Sequence, residues 1–386
     1  MSIKKLTQLT APYIFKQPLN FSLCLFFLSL FFSIFFNGYA GQLDTLGDGT
    51  HYMSMYYGDL AKSPFGYRIL TPYIAKLLPW EAIISFKIIT FFSLGLTSAL
   101  LGIYSNKIKL PLLFTIALIL FWFFSYPFIY NSTTVVRVDP PMLLLISIII
   151  LASKYRVSYI FHLFFICLGI LFHEMILIVI PALWFDKIFK GNLTGGLTYK
   201  YWSLILITII SLAFFLFTRN YLNVLPSHGM SYIDTPFEMI KFVLTKSGGV
   251  IMHILRIYSS FGPILIFSIF FVFFQKKTFE SFPFWLVLML VITASFFAVD
   301  TLRVMSIIYL PILLYSVQFL HSIWNSGFKY LALSGLGLQI LFSIVVYVNF
   351  ASFESSISLN LIAALFSLAS LLMCCFISYR NCFKNV

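Results

Sequence analysis

Residues 19–38 read LNFSLCLFFLSLFFSIFFNG, an apolar run without one charged side chain. An α-helix rises about 1.5 Å per residue, so roughly 20 such residues cross the ~30 Å hydrocarbon core of a bilayer. The run is too long for the apolar part of a cleavable leader and has no small-x-small exit, so it reads as a retained first span. Further apolar runs follow near 82–104, 111–130, 139–153, 201–218, 249–274, 281–298, 304–320, 330–349 and 359–378. The expected fold class is all-α, a polytopic transmembrane helix bundle of about ten to twelve spans. It forms a single membrane domain over 1–386, with no soluble domain.

Composition points the same way. The chain is 61% hydrophobic and 10% charged, where a soluble domain is about half apolar and about a quarter charged. Lipid must be the solvent for most of its Phe, Leu and Ile. The formal net charge of +13 does not indicate a nucleic-acid partner. Lys and Arg fall in short groups between apolar runs (Lys4 and Lys5, Lys107 and Lys109, Lys187 and Lys190, Lys276 and Lys277), not on one basic face. Alternating the runs from a cytoplasmic N-terminus puts these groups inside, as the positive-inside bias requires. The five cysteines have neither zinc nor redox-pair spacing and read as packing residues.

One stretch, 158–185, does not fit simple alternation. Lys154 and Arg156 precede it and Lys187 and Lys190 follow it, so both ends look cytoplasmic. Its roughly 28 residues cannot cross twice, which needs about 40. A pair of short helices meeting inside the membrane fits, with His173 and Glu174 at the turn. One long tilted helix fits as well.

Carboxylates are scarce, so their places are informative. Asp44, Asp48, Asp59, Glu81, Asp139, Asp234, Glu238, Asp300 and Glu354 map to the outer side or its boundary, Glu174 falls within the membrane, and only Asp186 and Glu280 map clearly inside. Acidic residues hardly influence topology; an outward polar site explains the bias. The first outer loop, 39–81, and the loop 219–248 are long enough for amphipathic helices on the membrane surface. In the first, Asp44 and Asp48 stand four apart, with Gly47 and Gly49 around Asp48. Partial burial would raise such a carboxyl toward neutrality and fit it to take a proton from a hydroxyl. An Asp N-cap for a helix starting near Thr50 accounts for the same residues.

Guanidinium groups accompany these acids. Arg68, among aromatic residues, suits bidentate phosphate binding or snorkelling to headgroups. Arg137 and Asp139, ahead of Pro140 and Pro141, could pair with each other. Asp300 and Arg303 stand one helical turn apart. Glu174 is the residue most costly to place in hydrocarbon, with a structural or a cavity role. Arg256 shares a helix face with His253. Arg219, His228 and Asp234 read as a solvated loop. No Walker loop, dinucleotide fingerprint or zinc-spaced set is present.

Taken together, several blocks resemble the polytopic C-type-fold (GT-C) membrane glycosyltransferases, in a bacterial branch, which take sugars from polyprenyl-phosphate carriers. They are Asp44 with Gly47-Asp48-Gly49 and Tyr52 directly after the first span, the Pro64-to-Pro72 segment, Asp139-Pro140, His173-Glu174, and Asp300 with Arg303 ahead of Pro311. The resemblance touches most of the chain through short motifs. It implies inverting transfer on the outer face of the bacterial inner membrane, with an acidic residue of the first loop as general base, Asp48 first and Asp44 second. It implies arginines (Arg68, Arg137, Arg256 and Arg303) holding the carrier phosphate, with Asp139, His173, Glu174 and Asp300 completing the substrate site. The implied partners are a polyprenyl-phosphate sugar donor, a glycan or glycolipid acceptor and the bilayer. A large periplasmic C-terminal domain, present in some members, has no counterpart, which favours lipid-borne or small glycan acceptors over proteins. The resemblance fixes no cofactor, and Asp44 and Asp48 could share a divalent cation.

A transporter or flippase for a lipid-linked or anionic substrate is the alternative, suggested by intramembrane Glu174 and Arg256 and by the broken stretch at 158–185. The sequence shows no internal inverted repeat to support it. A glycan polymerase or ligase would lean on long basic outer loops, and a purely structural subunit would leave the outward acidic bias unexplained.

Overall fold

The structure, a computed structural model, describes residues 18–40, 48–59, 65–155, 157–190, 197–222, 236–274, 282–296, 301–347 and 357–384. Among the described residues there is no strand, and the chain is an all-α helical bundle. Its helices are α1 (Pro18–Ala40), α2 (Gly49–Tyr57), α3 (Leu70–Leu77), α4 (Ala82–Lys107), α5 (Leu112–Phe123) and α6 (Tyr126–Thr133). There follow α7 (Asp139–Lys154), α8 (Tyr159–Phe172), α9 (Val179–Lys190), α10 (Leu197–Tyr221), α11 (Pro236–Ser247) and α12 (Val250–Phe261). The last are α13 (Pro263–Phe274), α14 (Phe282–Ser295), α15 (Thr301–Ser306), α16 (Tyr309–Asn325), α17 (Lys329–Tyr347) and α18 (Ile357–Lys384).

Among the described residues three helices are long and apolar enough to cross a membrane: Leu19–Tyr39, Ala82–Lys107 and Tyr201–Tyr221. The number is five if each of two bent helix pairs counts as one span. Their polarity is arranged for lipid. On α1, Ser22, Ser29 and Ser33 are buried while Leu19, Phe27, Phe31 and Ile34 face outward. A helix in water does the reverse, because there the apolar stripe is the one that must be covered. The buried hydroxyls of α4 bond back to their own helix, Thr97 Oγ1 to Ser93 O (2.9 Å) and Ser98 Oγ to Leu94 O (2.8 Å). Trp122 Nε1 then donates to Ser98 Oγ at 2.9 Å and ties α5 to α4. Small polar residues at helix contacts are the usual adhesive in a bilayer, where lipid tails remove the hydrophobic drive between helices.

The expected span 111–130 is bent by 43° between α5 and α6. Ser125 makes the break: its hydroxyl accepts from Phe128 N (3.2 Å) and starts α6, with Pro127 in the first turn. The expected span 249–274 bends by 84° between α12 and α13. Gly262 stands at the corner with φ +64° and ψ −146°, and Pro263 opens the next helix. That backbone region is open essentially to glycine alone. A Cβ there would also lie 2.3 Å from the Phe342 ring. Gly262→Ala is therefore expected to destabilise the protein by about 1–3 kcal/mol. A thermal melt in detergent checks this, and an unchanged melting temperature would contradict it.

The stretch 158–185 is broken, so it is not one long helix. α8 ends at Phe172, His173 is extended (φ −163°, ψ 125°), a 3₁₀ turn covers Glu174–Ile178, and α9 follows. Gly169 lets that turn fold back onto α8, since a Cβ there would meet Ile176 at 2.6 Å. The described parts of 39–81 and 219–248 hold the short helices α2, α3 and α11. A large aromatic core holds the bundle: Trp122, Phe261, Phe267 and Tyr309 are fully buried where α5, α12, α13 and α16 meet. A smaller buried group, Tyr52, Ala75, Phe86, Val135, Val136 and Val138, fastens α2 and α3 to the start of α4 and to the connection ahead of α7.

Candidate functional site

Asp48 occupies the position before α2, and its carbonyl accepts from His51 N (3.1 Å) and Tyr52 N (3.4 Å). Its side chain makes no capping bond. It turns away from the helix toward two guanidinium groups: Arg303 Nη1 donates to Asp48 Oδ2, and Arg137 Nη1 lies 3.3 Å from the same oxygen. The N-cap explanation thus covers the backbone of Asp48 and not its carboxylate. Burial alone would raise this carboxyl, as expected, but Arg303 and Arg137 outweigh burial and hold it below the usual aspartate range. The expected shift toward neutrality is reversed, because the low-dielectric surroundings that penalise a lone charge also strengthen its attraction to an adjacent cation.

Asp139 opens α7 and is almost completely buried, at 2% exposure of its side chain. Arg303 Nε donates to its Oδ2 at 2.6 Å. Among the described residues the pairing is crosswise and not the local Arg137–Asp139 one that the sequence suggests, while the partner expected for Arg303 at Asp300 lies outside the described residues. Arg137 serves Asp48, and Arg303 bridges Asp48 and Asp139. Thr90 Oγ1 donates to Val135 O at 2.8 Å and holds the connection that carries Arg137. The Arg137 guanidinium sits 5.3 Å from the Tyr130 ring centre.

Glu174 is paired. Arg68 Nε donates to Oε2 at 3.0 Å and Nη2 to Oε1 at 2.7 Å, a bidentate fork. Arg68 Nη1 also donates to the Tyr52 hydroxyl at 3.2 Å. Burial pushes the Tyr52 phenol up, so it stays protonated. His173 stands between the two acid–base groups, with Nε2 3.8 Å from Asp139 Oδ1 and Nδ1 3.6 Å from Glu174 Oε2. Met175 N donates to Nδ1 at 3.2 Å. In the neutral ring that leaves the proton on Nε2, directed to Asp139. The extended backbone at His173, produced by the break in 158–185, is what brings both side chains to this face.

Asp48, Arg68, Arg137, Asp139, His173, Glu174 and Arg303 therefore form one connected cluster drawn from the segments before α2, α3 and α7, the break after α8, and α15. Asp44 and Asp300 lie outside the described residues, as do His228 and Asp234. Arg256 is on α12, which packs against α15. Among the described residues no ion pair joins it to Asp48, Asp139 or Glu174. Sequence reasoning missed Arg219, whose Nη2 is 3.8 Å from Glu174 Oε1. It belongs to the last turn of α10 and not to a solvated loop. Its signal was its place at the end of an apolar run on the side where the acids collect. A divalent cation at Asp48 does not fit the described donor set. Two guanidinium groups already occupy Oδ2, and among the described residues no group of three His, Cys, Asp or Glu side chains is arranged to hold a metal ion.

No family model, no curated protein and no solved structure matches this chain.

Proposed function

We propose that the chain is an integral membrane glycosyltransferase of the C-type fold, moving a sugar from a polyprenyl-phosphate carrier to a lipid-borne or cell-envelope glycan acceptor on the outer face of the bacterial inner membrane. The observation that carries the reading is the convergence of Asp48, Asp139 and Glu174 with Arg68, Arg137 and Arg303 in one cluster. Glycosyl transfer from a phosphate carrier needs a cationic site for the leaving phosphate beside a base for the acceptor hydroxyl, and both kinds of group are present here.

In the resting arrangement Asp48 is ionised and occupied, which makes it a weak base. An arriving phosphate competes for the donors of Arg303 and Arg137 and releases a carboxylate oxygen. The acceptor O–H then gives its proton to Asp48 as its oxygen bonds to the sugar anomeric carbon. The bond from that carbon to the phosphate oxygen breaks, and its electron pair leaves with the phosphate, whose charge the guanidinium groups hold. One displacement of this kind inverts the anomeric centre. Asp139 and Glu174 act by keeping Arg303 and Arg68 in place.

Asp48→Asn in lipid nanodiscs, assayed with a labelled polyprenyl-phosphate sugar, is expected to lose about 10²–10⁴-fold in transfer rate with normal insertion and melting. Full activity in this variant removes Asp48 from the mechanism. A transporter reading is favoured by the 84° bend at Gly262 and by the helix break beside Glu174, since transporter sites use discontinuous helices. The same assay separates the two: a transporter moves the labelled lipid across the bilayer with its sugar–phosphate bond intact.

A further inference from the structure

We infer that Arg219 is a receptor for the phosphate group of a membrane-borne isoprenyl phosphate, approached from the lipid side of α10. The residue rests on geometry alone; the isoprenyl identity of the lipid rests on the glycosyltransferase reading.

Arg219 differs from the other guanidinium groups of the cluster. Arg68 is committed to Glu174 by two short hydrogen bonds, and Arg303 to Asp139 and Asp48. Arg219 reaches Glu174 only at 3.8 Å, beyond hydrogen-bond distance, and Glu174 already has both oxygens on Arg68. Among the described residues its guanidinium makes no hydrogen bond. It is held instead by stacking, 4.0 Å over the Tyr67 ring and 4.9 Å from the Phe215 ring centre. Stacking fixes the plane of the fork and leaves the in-plane N–H donors for a ligand. Its side chain is 26% exposed, so a ligand can reach it. Among the described residues this is a pre-oriented cation whose anionic neighbour, Glu174, is shared with Arg68 and bound more closely there, and a phosphate offers the oxygens to match its fork.

The approach follows from the helix that carries it. Trp202, Leu206, Ile209, Ile210, Leu216 and Phe217 are all exposed on α10. Only 17% of its most apolar window is buried, less than in either other unbroken span. Arg219 lies in the last turn of that helix, the end that a span of this length brings to the edge of the hydrocarbon, and it connects through Glu174 to Arg68. A phosphate carried on a lipid meets Arg219 as it moves from the bilayer into the cluster.

The test uses the full chain in phosphatidylcholine nanodiscs with farnesyl phosphate as the probe, so that ordinary phospholipid is present in excess throughout. Wild type is expected to bind the probe, and Arg219→Gln to bind it at least about tenfold more weakly. Equal affinity in wild type and variant overturns the proposal. So does farnesol binding as tightly as farnesyl phosphate, because the phosphate would then not be recognised. Inorganic phosphate binding through Arg219 as tightly as the probe overturns the lipid-borne source. Should the Gln variant fail to fold, Arg219→Lys carries the test with the same expectation, since an ammonium cannot reproduce the stacked fork. Arg219-dependent probe binding by a protein that transfers no sugar would remove the glycosyltransferase reading and leave this inference in place. Unimpaired binding by Arg219→Gln, with transfer still lost in Asp48→Asn, would do the opposite.

Discussion

Arg303→Met is expected to lower stability by about 3–5 kcal/mol and to abolish function. Arg303 joins two carboxylates by hydrogen bonds, through Nε to Asp139 and Nη1 to Asp48. Methionine keeps much of the volume and removes the charge, so the loss reports the ion pairs and not a cavity. The two carboxylates respond differently. Asp48 retains Arg137 at 3.3 Å and is 26% exposed, so water can share its charge. Asp139 is 2% exposed, and His173 Nε2, at 3.8 Å, is too far to replace a 2.6 Å bond. The cost therefore falls mainly on Asp139, and Asp139→Asn in the Arg303→Met background is expected to recover part of it. Arg303→Lys should be intermediate, since one ammonium group cannot serve both acids in the directions that a planar guanidinium does. Thermal unfolding in detergent measures all four proteins. A wild-type melt for Arg303→Met would mean that the bridge contributes nothing.

What the sequence disclosed and what it withheld have separate physical causes. Runs such as 19–38 announce their helices because a membrane span must satisfy its backbone within one segment. The same locality exposed the anomaly at 158–185, whose flanking charges conflicted with its length, and the break at His173 answers that conflict. The members of the cluster were also legible, since a charge placed in a chain with so few stands out. Their pairing was not. Arg137 and Asp139 are two residues apart, yet each bonds elsewhere, because an ion pair in a folded bundle is set by which helix ends meet. The ionisation of Asp48 is hidden from the sequence for the same reason. Its burial followed from its place beside a span, but the two arginines that reverse the effect come from positions 137 and 303. The role of Arg219 is not legible because its stacking partner Tyr67 is distant in sequence, and a helix end is indistinguishable from a loop by composition.

Glu174→Gln is expected to be nearly as costly as the loss of Arg303, at about 3–5 kcal/mol, although it changes one atom. Glutamine keeps the shape of glutamate and a single acceptor oxygen. Its amide group would point two donors at a guanidinium that has only donors, so one branch of the Arg68 fork is lost and the other weakened. Arg68 is 8% exposed and cannot turn to water. Arg219 stands 3.8 Å from the same carboxylate, so neutralising Glu174 also leaves two guanidinium groups facing each other with no anion between them. Removing a charge from the other side should then help. Arg68→Met combined with Glu174→Gln is expected to melt above Glu174→Gln alone, with a coupling energy of about 1–3 kcal/mol between the two positions. Additive losses in that cycle would show that Glu174 is solvated in the working protein and that the fork with Arg68 contributes little. A positive coupling with function still absent in the double variant is the expected outcome. Stability needs only that the charges cancel, whereas holding a substrate phosphate needs the guanidinium itself.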